Sequence, residues 1–353
     1  MRYPEFLKLN GTIGFVAPSF GCATEPYRSA FDSALKTFHK LGYSTKLGGN
    51  CYKACGIGIS NTPVECAKEL QSMYEDSQSD VLISCGGGEL MCEILPHLDF
   101  EELGRAKPKW YMGYSDNTNF TFLQTTMADT ASIYAPCAGA FGMEHWHKSI
   151  EDAFGVLTGD STVYDIHTNT VSIKGYDLWE KDSLKSEENP TAPYNPTEPV
   201  VLKTYQGSSP VNETRFEGRL LGGCMDCLVN LTGTKFDHVA EFNEKYGDDG
   251  VIWFLESCDL NVMSIRRAMW HMEQAGWFEK TKGFIIGRPL VFGQEMMGLD
   301  QYDAVLGIIG KYNVPVVMDI NIGHLPPSMP VICGSRAVVD VNGNDMNLSM
   351  KLI

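Results

Sequence analysis

Positive charge is scarce in this chain. Its 353 residues hold 28 Lys and Arg against 44 Asp and Glu, a formal net charge of −16 at pH 7. Nucleic acid and anionic membrane surfaces both require a basic footprint, so neither is expected as a partner. Long apolar runs are missing too. No stretch approaches membrane-spanning length, and the opening "MRYPEFLKLNGTIGFVAPS" has no extended apolar core and no small-residue cleavage site. A cytoplasmic protein without a secretory leader is therefore expected. No G-x-G-x-x-G or G-x-x-x-x-G-K-[ST] follows a strand, which removes the dinucleotide and P-loop readings, and no H-E-x-x-H occurs. The 11 cysteines are odd in number and scattered through apolar segments such as "VLISCGG" and "IYAPCAG", as reduced buried thiols would be. Cys224-x-x-Cys227 lacks a second pair at zinc spacing and His145-x-His147 stands alone, so no metal site is expected.

What is present suits a globular protein: 43% hydrophobic and 20% charged residues, on a chain long enough for two domains. Strand-like runs at 11–19, 80–87, 109–115 and 131–136 alternate with helix-like runs at 25–42, 62–77, 117–130 and 144–159. The helical runs carry apolar residues three and four apart, and the strands are nearly continuous apolar. That alternation predicts βαβ units and a doubly wound, Rossmann- or flavodoxin-like parallel sheet over residues 1–165. Residues 180–212 lose periodicity and turn to Pro, Ser, Glu and Asn, which predicts a long loop within a connecting segment, 166–215. The remainder, 216–353, is expected to be a mixed α/β domain. Its strands fall at 250–257, 283–290 and 314–324, its helices at 261–278 and 300–313. A C-terminal hairpin should follow, with the positive φ angles of its turn supplied by Asn342-Gly343.

In a doubly wound sheet, ligands bind beyond the carboxyl ends of the strands. Two stretches belong there. "SCGGGEL" (84–90) ends a strand with Gly86, Gly87 and Gly88 before a helix expected from Glu89. Such a run is either a plain tight turn or a place where N–H groups face an oxyanion or phosphate. The second stretch is "MGYSDNT" (112–118). Ser115 or Asp116 could be an ordinary helix N-cap. Alternatively, Ser115 is a nucleophile on a strand-to-helix elbow, although Gly113-Tyr114-Ser115-Asp116-Asn117 lacks the second glycine of G-x-S-x-G. A serine nucleophile needs a base and an orienting acid. Of the eight histidines, His324 ends an apolar strand just before Leu325-Pro326-Pro327. Glu256 ends "VIWFLE", where a buried carboxylate requires a partner. Both could also be satisfied residues at strand ends. Cys85 is a further candidate, as a thiol nucleophile of the amidotransferase kind or as a small buried residue.

Taken together, "GFVAPS", "SCGGGELMCEILPHLDF", "MGYSDNT", "GRLLGGCMDCLVNLTGT", "WFLES", "SIRRAMWHMEQAGWF" and "NIGH" resemble, in that order, the LD-carboxypeptidase family of serine peptidases, which includes the microcin C immunity (MccF-like) peptidases. The resemblance implies a Ser–His–Glu triad carried by both domains. Ser115 would be the nucleophile, His324 the base and then acid, and Glu256 the group that orients the imidazole. The N–H groups of Asp116 and of Gly87 or Gly88 would form the oxyanion hole. It also implies no metal or organic cofactor, a cytoplasmic location and a homodimer. The chain departs from LD-carboxypeptidases where Gly86-Gly87-Gly88-Glu89 replaces Arg-Gly-Gly-Tyr, and Cys224 stands where the family commonly has asparagine. These departures and the long middle segment tilt the expectation toward the immunity-like branch and a small peptidyl or aminoacyl-nucleotide substrate. Trp179 could stack on its base or simply pack. The alternatives are a muramoyl-tetrapeptide LD-carboxypeptidase of murein recycling and a non-catalytic small-molecule binding protein.

Overall fold

The computed structural model describes all 353 residues, which fall into two compact units. The first comprises residues 1–164, 182–195 and 330–332. Its six-stranded sheet runs in the order Val331–Cys333, Ser132–Tyr134, Tyr111–Gly113, Val81–Ser84, Thr12–Val16, Ser44–Leu47. The last five of these pair in parallel. Val81–Ser84 and Tyr111–Gly113 are buried at every residue, as strands covered on both faces must be. The helix Tyr27–Lys40 buries Ala30, Phe31, Ala34 and Phe38 along one stripe. Phe31 meets Phe15 edge-on at 5.3 Å and Phe38 meets Phe141 at the same centroid distance.

The second unit comprises 165–181, 196–329 and 333–353. Four parallel strands form the middle of a ten-stranded sheet: Glu213–Cys224, Val251–Glu256, Thr281–Gly287 and Pro315–Ile320. Antiparallel strands flank them on both sides. Trp253 stacks on Trp277 at 5.5 Å in its core, and the Trp277 indole N–H is held by the Asp237 carboxylate at 3.0 Å. The architecture is mixed α/β with parallel sheets, as the alternation of apolar runs predicts.

Local structure departs from the sequence expectations in several places. Past the glycine run the chain forms a 3-10 helix, Met91–His97, in place of an α-helix from Glu89; Pro96 lies inside it and cannot donate a helical hydrogen bond. The expected loop 180–212 carries short strands, among them Lys203–Gln206, which pairs antiparallel with Pro315–Ile320 near the sheet edge. Only Thr204 of its four residues is buried, which leaves little periodicity to read. Glu213–Cys224 is a twelve-residue strand whose glycines conceal it. A Cβ on Gly222, at φ +151°, would lie 1.8 Å from the Phe254 carbonyl oxygen, so close approach to the neighbouring strand demands glycine. In the C-terminal hairpin Asn342 pairs with Asp345, so the turn residues are Gly343 and Asn344. Only Gly343 has positive φ, +60°, the pattern of a II′ turn. The connecting segment is divided between the units. Residues 182–195 belong to the first, where Glu144 N–H bonds the Thr191 carbonyl at 3.1 Å. Thr170–Lys174 joins the second by pairing with Asp345–Lys351.

Candidate active site

In the first unit, Ser115 follows the strand Tyr111–Gly113 and opens the 3-10 turn Ser115–Asn117 that leads into the helix Thr118–Thr126. The N-cap positions belong to Tyr114 and Asn117, and neither makes a side-chain cap bond, so helix capping does not account for Ser115. Its φ is +62°. The left-handed region costs a non-glycine residue about 1–2 kcal/mol, and only surrounding contacts can hold it there. Several do. Ser115 N–H donates to the Tyr134 hydroxyl at 3.3 Å. The buried Asn117 amide donates to the Gly86 carbonyl at 2.9 Å and to the Tyr114 carbonyl at 3.0 Å, while its oxygen accepts from the Tyr111 hydroxyl. Asp116 Oδ2 accepts from the Ser19 hydroxyl at 2.5 Å and from Met91 N–H at 2.9 Å. The serine corner is thereby tied to the loop after the first strand and to the segment after the glycines.

The glycine run lies against this corner. A Cβ on Gly87 would lie 3.1 Å from both Cβ and Oγ of Ser115 and 4.0 Å from Asp116 N. Gly86 and Gly87 carbonyls are occupied, the latter by Phe20 N–H at 2.8 Å. Gly88 has φ +156°, and a Cβ there would sit 2.1 Å from Ser19 Oγ. The two glycines therefore predict different failures. Gly87→Ala should keep the melting temperature and reduce turnover, because the methyl enters the space beside the hydroxyl. Gly88→Ala should lower stability by about 1–3 kcal/mol through backbone strain and the clash. Thermal melts and steady-state kinetics of the two variants check this; equal melting losses would refute the distinction.

In the second unit, Glu256 ends the fully buried strand Val251–Glu256 and is itself 0% exposed. Its Oε2 lies 2.8 Å from Nδ1 of His324. Two glycines admit this carboxylate. A Cβ on Gly323, at φ +111°, would stand 2.6 Å from Glu256 Oε2, and one on Gly287 would stand 3.0 Å from Glu256 Cβ. Burial disfavours the charged imidazole, but the Glu256 carboxylate and the Cys258 side chain outweigh it and hold the His324 pKa well above the ordinary value. The turn after Glu256 is pinned by Asp226, whose carboxylate accepts Cys258 N–H at 3.0 Å and Asp259 N–H at 2.8 Å.

Sequence reasoning passed over these supports. Ser19, Asn117, Tyr134 and Asp226 make no chemistry of their own; Ser19 and Asn117 do lie in the stretches "GFVAPS" and "MGYSDNT" that carry the resemblance. Cys85 is buried, and burial with the neighbouring Cys22 and Cys51 thiols pushes its pKa well up, which disfavours the thiolate a nucleophile needs. Trp179 is buried against Val200, Leu325 and Phe292. The Arg288 guanidinium, brought down to about 10 by burial, lies 5.2 Å from its ring centre.

Comparison with known proteins follows the same division. Residues 13–135 match the family profile of the LD-carboxypeptidase N-terminal domain, and residues 217–339 match that of the LD-carboxypeptidase C-terminal domain. A Vibrio cholerae protein designated "Putative carboxypeptidase" is 23% identical over 99% of this chain and 98% of its own. Among solved structures, an MccF-like protein from Bacillus anthracis has TM-score 0.82 at 18% identity, covering both chains fully. MccF in complex with aspartyl sulfamoyl adenosine has TM-score 0.81 at 19% identity, over 100% of this chain and 99% of that one. No helix is long and apolar enough to cross a membrane.

Proposed function

Because the chain belongs to the LD-carboxypeptidase family, we propose that it is a serine-type hydrolase that cleaves an amide bond in a small aminoacyl- or peptidyl-nucleotide. The observation that carries this is the strained Ser115, φ +62°, with its hydroxyl against Gly87, in a chain that also holds a Glu256–His324 bond of 2.8 Å. Ser115 Oγ attacks the carbonyl carbon as His324 takes its proton. The carbonyl oxygen gains the negative charge, which N–H groups of Gly87 or Gly88 and of Asp116 stabilise. His324 then donates the proton to the leaving nitrogen as the C–N bond breaks. A water, deprotonated by the same imidazole, releases the acyl group from Ser115. Glu256 keeps the proton on Nδ1 and stabilises the imidazolium that forms.

A base must be neutral to accept a proton. With the His324 pKa raised, kcat/KM should climb with pH through an apparent pKa above the unperturbed histidine value of about 6.5. A pH profile whose acid limb lies below that value contradicts the role assigned to His324. Sulfamoyl aminoacyl nucleosides bound to MccF support the substrate class. Incubating the chain separately with aspartyl sulfamoyl adenosine and with murein tetrapeptide tests it. Release of aspartate from the first is the expected result. Release of D-alanine from the second alone would make the chain an LD-carboxypeptidase of wall peptides, and hydrolysis of neither would favour a binding protein.

A further inference from the structure

The glutamate–histidine pair has a third neighbour with ligand chemistry. Cys224 ends the strand Glu213–Cys224, and the parallel register with Val251–Glu256 sets it directly opposite Glu256. One donor atom each from Cys224, Glu256 and His324 lies within 4.8 Å of the other two. A tetrahedral zinc, bonded to sulfur near 2.3 Å and to nitrogen or oxygen near 2.0–2.2 Å, spaces such donors about 3.3–3.6 Å apart. Shifts of about 1 Å or less per donor therefore close the cluster around an ion. We infer that Cys224, Glu256 and His324 form a three-ligand site for a thiophilic divalent cation, zinc above all, with a fourth position open to water.

The donor set selects the ion. Thiolate with imidazole and one carboxylate suits zinc, whereas magnesium and calcium take oxygen donors. The surroundings favour a cation as well. Glu256 is 0% and Cys224 1% exposed, so a divalent ion neutralises carboxylate and thiolate where water cannot. The His324 side chain, 13% exposed, offers the route in. The Cys224 thiol donates to Asp226 Oδ2 at 3.3 Å, and that oxygen also accepts Cys258 N–H, so metal binding breaks this S–H···O hydrogen bond as the thiol proton leaves. On binding, the thiol releases its proton to solvent and coordinates as thiolate, with no change in oxidation state. Chain spacing hides the site, since its residues are single strand-end positions at 224, 256 and 324.

The ion competes with proton transfer for the same imidazole and carboxylate. Zinc should therefore inhibit hydrolysis and a chelator should restore it. Binding itself does not rest on the hydrolase assignment and is read without substrate. Calorimetry of the full chain with Zn²⁺ should show one ion bound. Co²⁺ in its place should show a thiolate-to-cobalt charge-transfer band. Cys224→Ser should abolish the band and weaken zinc binding at least about 100-fold, since even outer-shell partners are worth 10–100-fold. His324→Asn should weaken binding comparably, while Cys227→Ser should leave both ion and band in place. Should Cys224→Ser fail to fold, Glu256→Gln carries the same loss of affinity with the thiol intact. Absence of zinc binding by the native chain, a band that survives Cys224→Ser, or a band lost with Cys227→Ser but kept in His324→Asn would overturn the assignment.

Discussion

Ser115→Ala is expected to reduce kcat by about 10⁴–10⁶-fold while leaving the fold intact, the range seen when a serine nucleophile is deleted from a triad. The physical basis is the corner itself. Holding Ser115 at φ +62° takes the Asn117 and Asp116 networks and the Tyr134 hydroxyl. None of these contacts uses the Ser115 hydroxyl: Ser115 contributes its N–H to Tyr134, and Asn117 and Asp116 bond other groups. Removing the oxygen therefore leaves the supports standing. The measurement is turnover of aspartyl sulfamoyl adenosine, with labelling by a fluorophosphonate probe as a second readout. The probe should mark Ser115 in the native chain and mark nothing in the variant. Undiminished turnover by Ser115→Ala would remove the serine mechanism altogether.

Glu256→Gln should lower kcat/KM by about 10⁴-fold, the cost of an orienting carboxylate replaced by its amide. Glutamine keeps the volume but presents an amide in place of a carboxylate. It no longer requires the Nδ1 proton, and the tautomer able to accept from a serine hydroxyl loses its advantage. A second effect separates orientation from mere structure. The Glu256 charge helps raise the His324 pKa against burial. Without it only the Cys258 side chain opposes burial, and the acid limb of the residual kcat/KM profile should move to lower pH. A variant that loses activity through misfolding would show no such displacement. Full activity, or a limb that stays in place, would contradict the orienting role.

Much of the fold is legible in the chain because burial on both faces leaves a direct trace. Val81–Ser84 and Val251–Glu256 are continuous apolar runs, and Tyr27–Lys40 repeats its apolar residues at helical spacing. What escaped lies where backbone geometry, not side-chain polarity, decides. Glu213–Cys224 is strand despite Gly218, Gly222 and Gly223, and at Gly222 the neighbouring strand comes too close for a Cβ. Lys203–Gln206 is strand because Pro315–Ile320 offers it hydrogen bonds, not because its sequence alternates.

The candidate site divides the same way. Local sequence can mark Ser115 at a strand-to-helix corner and a carboxylate stranded at the end of "VIWFLE", since an elbow and a buried charge each have a local signature. The 2.8 Å bond from Glu256 to His324 and the placement of Cys224 opposite Glu256 belong to the tertiary structure alone. They follow from parallel register and from glycines at 287 and 323 that let the carboxylate pass. The distances between residues far apart in the chain are set by how strands align and how closely backbones pack, and no pattern within a single segment records them.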